Sequence, residues 1–505
     1  MTLEGLAPAL LIGAVIVLVS VVGVRLAGRL GVPGLLLYLL LGLLLGSVSP
    51  ALHLQDAQLA TVLGYGALVL ILAQGGLTTR ASQLRPVAWP AIALASVGVA
   101  VSIGAVALPL VWVLHLPVQT ALLISAVLAA TDAAAVFTVL RRLHIGERMR
   151  TLLEAEAGFN DAPVAVIVSV IASGTFGSAS WWQLPVLVVA ELVGGAAVGL
   201  AIGYGSRWLL PRLALPAVGL YPIAALALLV AAYGAAAIIH ASGFMAVYVA
   251  AVLVGSAARL PHRRSIIGFA DGLAWIAEIG LFVMLGALAD IGQLPSAIPT
   301  ALFVAAALVL VARPLAAIIS LAPFRWPWSD VGFVAIAGLR GAVPIVFAAI
   351  PLGAGLPDAR LVFDVTLLVV ILLLVLQSPV LSSLGRRLRV VLPEEAVELE
   401  VESAPLDGMR ASVLGIEVPQ GSGFVGAFVV ELGLPDGAVV ALVVRDGRGL
   451  APDVHTRLRA GDQVLVVTTE EARVAAEKRI LAVSRRGRLA RWLEPGAQSA
   501  RTDRR

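Results

Sequence analysis

The sequence predicts an all-α polytopic membrane protein of about 13 transmembrane helices, with inverted repeats and two crossing broken helices, followed by a small α+β cytoplasmic domain. Three observations lead there. Hydrophobic residues fill 60% of the 505 positions and charged ones only 13%, against roughly 25% charged in an ordinary soluble domain. The chain up to about residue 385 divides into apolar runs, each near the ~20 residues that a helix needs to cross a bilayer. Arginines recur in every second break between those runs.

The expected spans are 6–24, 34–48, 59–77, 88–112, 118–140, 150–173, 185–207, 219–239, 242–258, 268–289, 297–321, 329–349 and 361–384. The first starts almost at Met1 without a basic leading segment or a small-residue cleavage site, so a retained helix is expected and not a signal peptide. Arg25 and Arg29, Arg80 and Arg85, the group Arg141, Arg142, Arg148 and Arg150, Arg207 and Arg212, Arg259, Arg263 and Arg264, Arg325, and finally Arg386, Arg387 and Arg389 occupy alternate breaks, with Arg360 the main exception. The positive-inside rule then places the amino terminus outside and everything after residue 385 in the cytoplasm, which requires an odd number of spans. The basic pI belongs to these flanking arginines, so no nucleic-acid partner is inferred. Cysteine is absent, which excludes disulfides and thiolate–metal chemistry.

Past Arg389 the composition turns acidic and alternating. The expected organisation is a membrane domain over 1–389, a compact domain over 394–482 and a basic tail over 483–505. "GAVVALVVRDGRGLAP" reads as a strand entering a tight hairpin at Asp446-Gly447, "GDQVLVVTT" as a second strand, and "EEARVAAEKRILAV" as a helix. "FVGAFVVEL" reads as a short helix between strands. No nucleophile, metal or phosphate-loop pattern is found in it, so no enzymatic activity is expected.

Within the spans, a few polar residues demand a reason. "EAGFND" (156–161) puts Glu156, Asn160 and Asp161 inside an apolar stretch, where each ionised group costs several kcal/mol on even the gentler scales. On a helix the three can share one interior sector. A partly buried carboxylate reached by water can hold a proton or a small cation, and competition between the two is a transport mechanism. Two spans also read as broken. Thr131-Asp132 interrupts the fifth, and "GLRG" with Pro344 interrupts the twelfth. If both unwind, Asp132 can offset the positive helix ends and Arg340 the negative ones. Their separation by seven spans is what an inverted repeat of about six helices plus a linking helix produces. Helix-end capping is the plainer alternative for both motifs. Glu156 needs a cationic partner, and Arg313, deep in "LVLVARPLAAI", is the best candidate for a structural ion pair.

Thr131-Asp132 and Asn160-Asp161, with "GGLTT", "HASGFMAVYVAAVLVG", "ARPL" and "GLRGAVPI", resemble the monovalent cation/proton antiporters of the sodium/proton exchanger superfamily, in its first branch, over the whole membrane part. The segment "GAFVVELGLPDGAVVALVVRDGRGLAPDVHTRLRAGDQVLVV" resembles the TrkA-C (RCK-C) regulatory domain. The combination is similar to bacterial potassium/proton antiporters of the cell-volume-regulation type. The resemblance implies exchange of K+, or of Na+, for H+ across the bacterial inner membrane by alternating access. Asp161 is then the shared cation and proton carboxylate, Asn160 its neighbour, Thr131 a cation ligand, and Asp132 the dipole-compensating charge. It also implies a homodimer, no cofactor for transport, and a regulatory nucleotide such as cyclic di-AMP on the tail domain. An Asn-Asp pair goes with electroneutral exchange in that family. Ala157 stands where relatives commonly carry Ser, and Gln74 where an acidic residue often precedes Gly-Gly, so both remove oxygen ligands or charge.

Other readings are a ligand-gated monovalent cation channel, against which stands the absence of a filter run like "TVGYG", and a membrane ion sensor signalling through the tail. His53, His115, His144 and His240 read as polar residues near span ends, and Trp181, Trp182, Trp326 and Trp328 as interfacial anchors.

Overall fold

The computed structural model describes residues 3–30, 33–48, 56–132, 145–173, 183–257, 260–388, 390, 402–406, 411–418, 422–445, 447–469 and 471–486. It divides into two compact units, Met1–Val391 and Leu392–Arg505.

The first unit is helical throughout. Its elements are α1 (Leu3–Leu30), α2 (Gly34–Val48), α3 (Ala57–Thr78), α4 (Ala88–Trp112), α5 (Val118–Ala129), α6 (Glu147–Ala172), α7 (Gln183–Leu209), α8 (Leu220–Ile238), α9 (Gly243–Gly255), α10 (Arg263–Leu288), α11 (Leu294–Phe324), α12 (Trp328–Ala337), α13 (Ala342–Gly353) and α14 (Ala359–Arg387). Among the described residues, 8 helices are long and apolar enough to cross a membrane, or 9 when α12 and α13, bent by 48° at their break, count as one span. Leu10–Arg25, Gly34–Ser47, α5 and α9 are apolar but shorter. That is fewer than the number of spans expected from the sequence: α2, α5 and α9 stop short of a full crossing, and Leu10–Arg25 is the apolar part of the longer α1.

Burial sorts these helices into centre and periphery. The apolar window of α6 is 78% buried and that of α7 only 17%. α6 packs against α3, α4, α5, α7, α9, α12 and α13, so Glu156, Asn160 and Asp161 are enclosed by protein. At the edge, α2 and α10 cross so closely that a Cβ on Gly42 or Gly286 would run into the facing backbone, the small-residue contact that bilayers favour when no hydrophobic force draws helices together.

Two features repeat at an offset of seven spans. One is a stretch of unwound backbone, at 130–132 after the end of α5 and between α12 and α13. The other went unread in the sequence: α4 contains a π-turn at Leu94–Gly98, and α11 one at Leu308–Ala312. The helical segment after the second π-turn packs against the first π-turn.

The second unit is a five-stranded antiparallel sheet of order β1-β2-β5-β3-β4, from β1 (Glu402–Leu406), β2 (Ala411–Glu417), β3 (Ala438–Arg445), β4 (Arg448–Leu450) and β5 (Gln463–Thr469), with helix α15 (Arg473–Arg486) packed on it. Alternation along β5 buries Val464, Val466 and Thr468 on one face, as a sheet with one solvated face requires. The hairpin expected at Asp446-Gly447 joins β3 to β4, with Arg445 opposite Arg448 and Gly447 at φ 74°; Asp446 itself lies outside the described residues. "FVGAFVVEL" forms only a single 3₁₀ turn, Val429–Leu432, because Gly433 adopts φ 55° and ends it.

The tryptophan reading needs one correction. Trp326 is buried, with the Arg148 guanidinium 4.2 Å above its ring, and this cation–π contact replaces the membrane surface as its polar environment. Trp328 is exposed; Trp181, Trp182, His53, His144, Arg141, Arg142, Arg259, Arg389 and the tail from 487 lie outside the described residues.

Candidate functional site

The site begins where α5 stops. Its last turn ends at Ala129, and Ala130 turns extended (φ −61°, ψ 139°), leading Thr131 and Asp132 away from the helix axis but still inside the protein. Across from it, α12 ends at Ala337 and α13 starts at Ala342, leaving residues 338–341 as unwound backbone. The two stretches meet directly: the Asp132 amide donates to the Leu339 carbonyl at 3.0 Å. Pro344 sits in the first turn of α13, where no N–H is needed for the helix ladder, so it starts the helix without a lost bond.

Interrupted helices leave orphan donors and acceptors, and here charged side chains meet them. Asp132 Oδ2 accepts the Ala342 amide at 2.6 Å, placing a carboxylate on the positive end of α13. Arg340 donates through Nε to the Leu128 carbonyl at 2.9 Å and through Nη1 to the Gly338 carbonyl at 2.6 Å. One guanidinium thus serves the negative ends of α5 and α12 together. Only glycine fits at 341, since a Cβ there would overlap the Asp132 carboxylate.

Against this crossing lies α6. Asn160 Nδ2 donates to Thr131 Oγ1 at 2.6 Å, tying α6 to the unwound end of α5. Asn160 and Asp161 are 1% and 2% exposed, and Asn160 Oδ1 and Asp161 Oδ1 have no hydrogen-bond partner among the described residues. Buried oxygens left open are uncommon enough to need an explanation, and a proton or a cation supplies one. Pro163 cannot donate to the Phe159 carbonyl, which leaves a further oxygen of α6 without its ladder partner. Ala157, one turn before Asp161, offers no oxygen. Gly158 lets α6 approach α9, because a Cβ there would strike the Tyr248 ring.

Glu156 turns to a different task. Its carboxylate receives Arg313 Nη1 at 2.6 Å and Nη2 at 3.4 Å, and Arg313 Nη2 also donates to the Val334 carbonyl at 3.0 Å. This buried pair ties α6 to α11 and α12. Arg313 is the first residue after the π-turn of α11, and its guanidinium fills the space that a side chain at Gly338 would need.

Carboxylates inside the apolar helices also escaped the sequence reading, among them Glu278, Asp364 and Glu191. Glu278 of α10 is 7% exposed with Oε1 unpartnered among the described residues. Asp364 of α14 is buried and pairs with Arg360 at 3.2 Å. Glu191 lies in α7. Each was legible by the criterion that drew attention to "EAGFND", an acid inside an apolar run. Gln74 donates to Asp271 Oδ1 at 3.1 Å. Among the described residues no group of three or more His, Cys, Asp or Glu could hold a metal ion.

Comparison with known proteins agrees with both units. Residues 15–387 match the model of the sodium/hydrogen exchanger transmembrane family, and residues 413–481 that of the TrkA-C domain. The chain is 34% identical over 474 residues to the K(+)/H(+) antiporter NhaP of Alkalimonas amylolytica, covering 92% of this chain and 82% of the relative. It is 33% identical over 470 residues to the K(+)/H(+) antiporter NhaP2 of Shewanella sp. strain MR-4, covering 92% and 81%. Among solved structures, the sodium proton antiporter MjNhaP1 from Methanocaldococcus jannaschii at pH 8 superimposes with a TM-score of 0.65 at 23% identity, covering 76% of this chain and 99% of that one. These relatives are transporters, not enzymes.

Proposed function

The chain belongs to the sodium/hydrogen exchanger family, and on that premise we propose that it exchanges a monovalent cation for protons by alternating access, with both competing for Asp161. The observation that carries this reading is the open carboxylate oxygen of Asp161, buried next in sequence to Asn160, whose amide bonds the Thr131 hydroxyl where the unwound backbone after α5 meets that between α12 and α13. A carboxylate in such a place is tolerable as the acid or as a cation pair, but costly as a bare anion. Thr131 and the carbonyls of the unwound segments supply neutral oxygen to the cation. Asp132 and Arg340 stay with the helix ends, and Glu156 with Arg313, holding the geometry while Asp161 changes partner.

Potassium is the cation favoured, because the relatives at 33–34% identity are K(+)/H(+) antiporters, with sodium the alternative. The exchange is electroneutral on this reading: Asn160 contributes no charge, so one proton leaves as one cation arrives. Such a cycle ignores membrane voltage, worth about 2.3 kcal/mol per charge per 100 mV. It draws only on the pH difference, about 1.4 kcal/mol per unit, so each unit supports at most about a tenfold cation gradient.

The four shorter apolar helices, taken as spans with the nine, give thirteen. That odd number fits the arginine alternation and an outside amino terminus in the bacterial inner membrane. The TrkA-C unit is the regulator, working in a homodimer and responding to a small nucleotide such as cyclic di-AMP.

The test uses full-length protein in proteoliposomes with an internal pH dye. Addition of K+ or Na+ to the wild type should move protons, and Asp161→Asn should reduce this to background. Unchanged exchange in the variant would remove Asp161 from the mechanism, and a valinomycin-independent K+ current in the wild type would favour a channel.

A further inference from the structure

A cavity of about 300 Å³ lies between α6 and the helices α3, α7, α8 and α9. It begins at Ala162, the residue after Asp161, and follows α6 to Ser173, roughly 16 Å along the helix axis. An edge-packed aromatic cluster of Tyr65, Tyr233 and Phe244 forms one wall, with centroids 5.2 and 5.5 Å apart. The polar residues of the lining include Ser169 and Glu191. Among the described residues the lining holds one carboxylate and no lysine or arginine.

Glu191 is eight residues into an apolar helix long enough to span the bilayer. A carboxylate at that depth is expensive unless it faces water or a cation. Glu191 lines the groove. A single negative charge between low-dielectric walls focuses its field into the groove and concentrates counter-ions there. His240 immediately precedes Ala241 and Ser242 of the lining, and the Ser242 amide donates to the Glu191 carbonyl at 3.0 Å, so the plain alternative is a polar pair of Glu191 with His240 at the helix end.

We propose that this cavity is the vestibule feeding the ion site from the face where α6 ends, and that Glu191 is a second cation site, holding a partly hydrated monovalent cation before it reaches Asp161. The inference rests on the reading of Asp161 as the exchange site. It assigns Glu191 a one-sided role, since the vestibule serves one face only.

Two measurements on the full-length protein test it. In sided transport assays, E191Q should raise the half-saturating K+ concentration by roughly three- to tenfold on the face where α6 ends. The value on the opposite face and the maximal rate should stay within about twofold of wild type, and E191D should shift the same face by less. H240Q should leave both faces unchanged. No shift with E191Q, or an equal shift on both faces, overturns the proposal, as does an H240Q variant that reproduces the E191Q effect. The D161N variant run in parallel separates the two claims: if it still exchanges, the reading of Asp161 fails, whereas silent D161N with unaltered E191Q defeats only the vestibular site.

The second measurement does not depend on transport. The chain contains no cysteine, so S169C provides a single reporter for a membrane-impermeant thiol reagent. Labelling is expected from the α6-terminal face alone, slowed by K+ when Glu191 is present and not slowed in S169C with E191Q. Labelling from neither face, or protection by K+ that survives E191Q, contradicts it.

Discussion

At the scale of single residues, charge placement decides what each acid can do. Glu156 has a guanidinium at 2.6 Å; Asp161, five residues on, has an open oxygen. Removing one partner of a buried pair leaves the other uncompensated, so E156Q is expected to lower stability by about 3–5 kcal/mol, measurable by thermal unfolding in detergent. The change expected for N160D is of another kind. A second carboxylate beside Asp161 should make the cycle carry charge, so that a clamped potential of about 100 mV shifts the attainable cation gradient by about fiftyfold, where the wild type shows no shift. In the tail unit, Arg445 donates to both Asp462 oxygens at 2.8 and 2.7 Å and holds that carboxyl below the usual range. Its contribution to stability is full above ordinary carboxylate titration near about pH 4 and fades as pH falls through the lowered folded value. D462N should flatten that acid limb, read by hydrogen exchange over β5 in the full chain.

Much of this was readable from residue types alone. Acids and an arginine inside bilayer-length apolar runs are costly, so their positions announce that partners exist, and Arg313 was identifiable because it lies deep within an apolar run. The partner geometry was not readable. That Arg340 serves carbonyls of two helices depends on the crossing, and Glu278 and Glu191 were passed over because neither stands next to a second polar residue.

At the scale of elements, the unwound stretches after α5 and between α12 and α13 are the decisive features. They were legible because Thr-Asp and Gly-Leu-Arg-Gly insert turn-forming and charged residues where a helix would otherwise continue. The π-turns at Leu94–Gly98 and Leu308–Ala312 left no such mark, since neither carries a charged residue or proline to interrupt the apolar run. The crossing makes two contrasting predictions. G341A drives a Cβ into the Asp132 carboxylate and should lower the exchange rate with the protein still assembled. P344A restores an N–H in a first turn that does not need one, so stability should change by less than about 1 kcal/mol.

At the scale of the whole molecule, a helical unit matching the exchanger family is joined to a sheet unit matching TrkA-C. The composition shift near residue 390 made the junction visible, because a bilayer-embedded chain and a water-facing sheet need different side chains. The number of spans was less secure, since short helices satisfy hydropathy without satisfying length. A chain truncated after residue 391 is expected to keep cation/proton exchange and to lose its response to regulatory nucleotide, measured in the same proteoliposomes.

The most direct test of competition at one carboxylate is the half-saturating K+ concentration as a function of pH in voltage-clamped proteoliposomes. Competition predicts that it rises about tenfold for each unit of acidification once protons dominate the site, with the maximal rate unchanged when K+ is saturating. A half-saturation point that stays constant across pH, with only the maximal rate falling, would mean that protons and potassium bind at separate places.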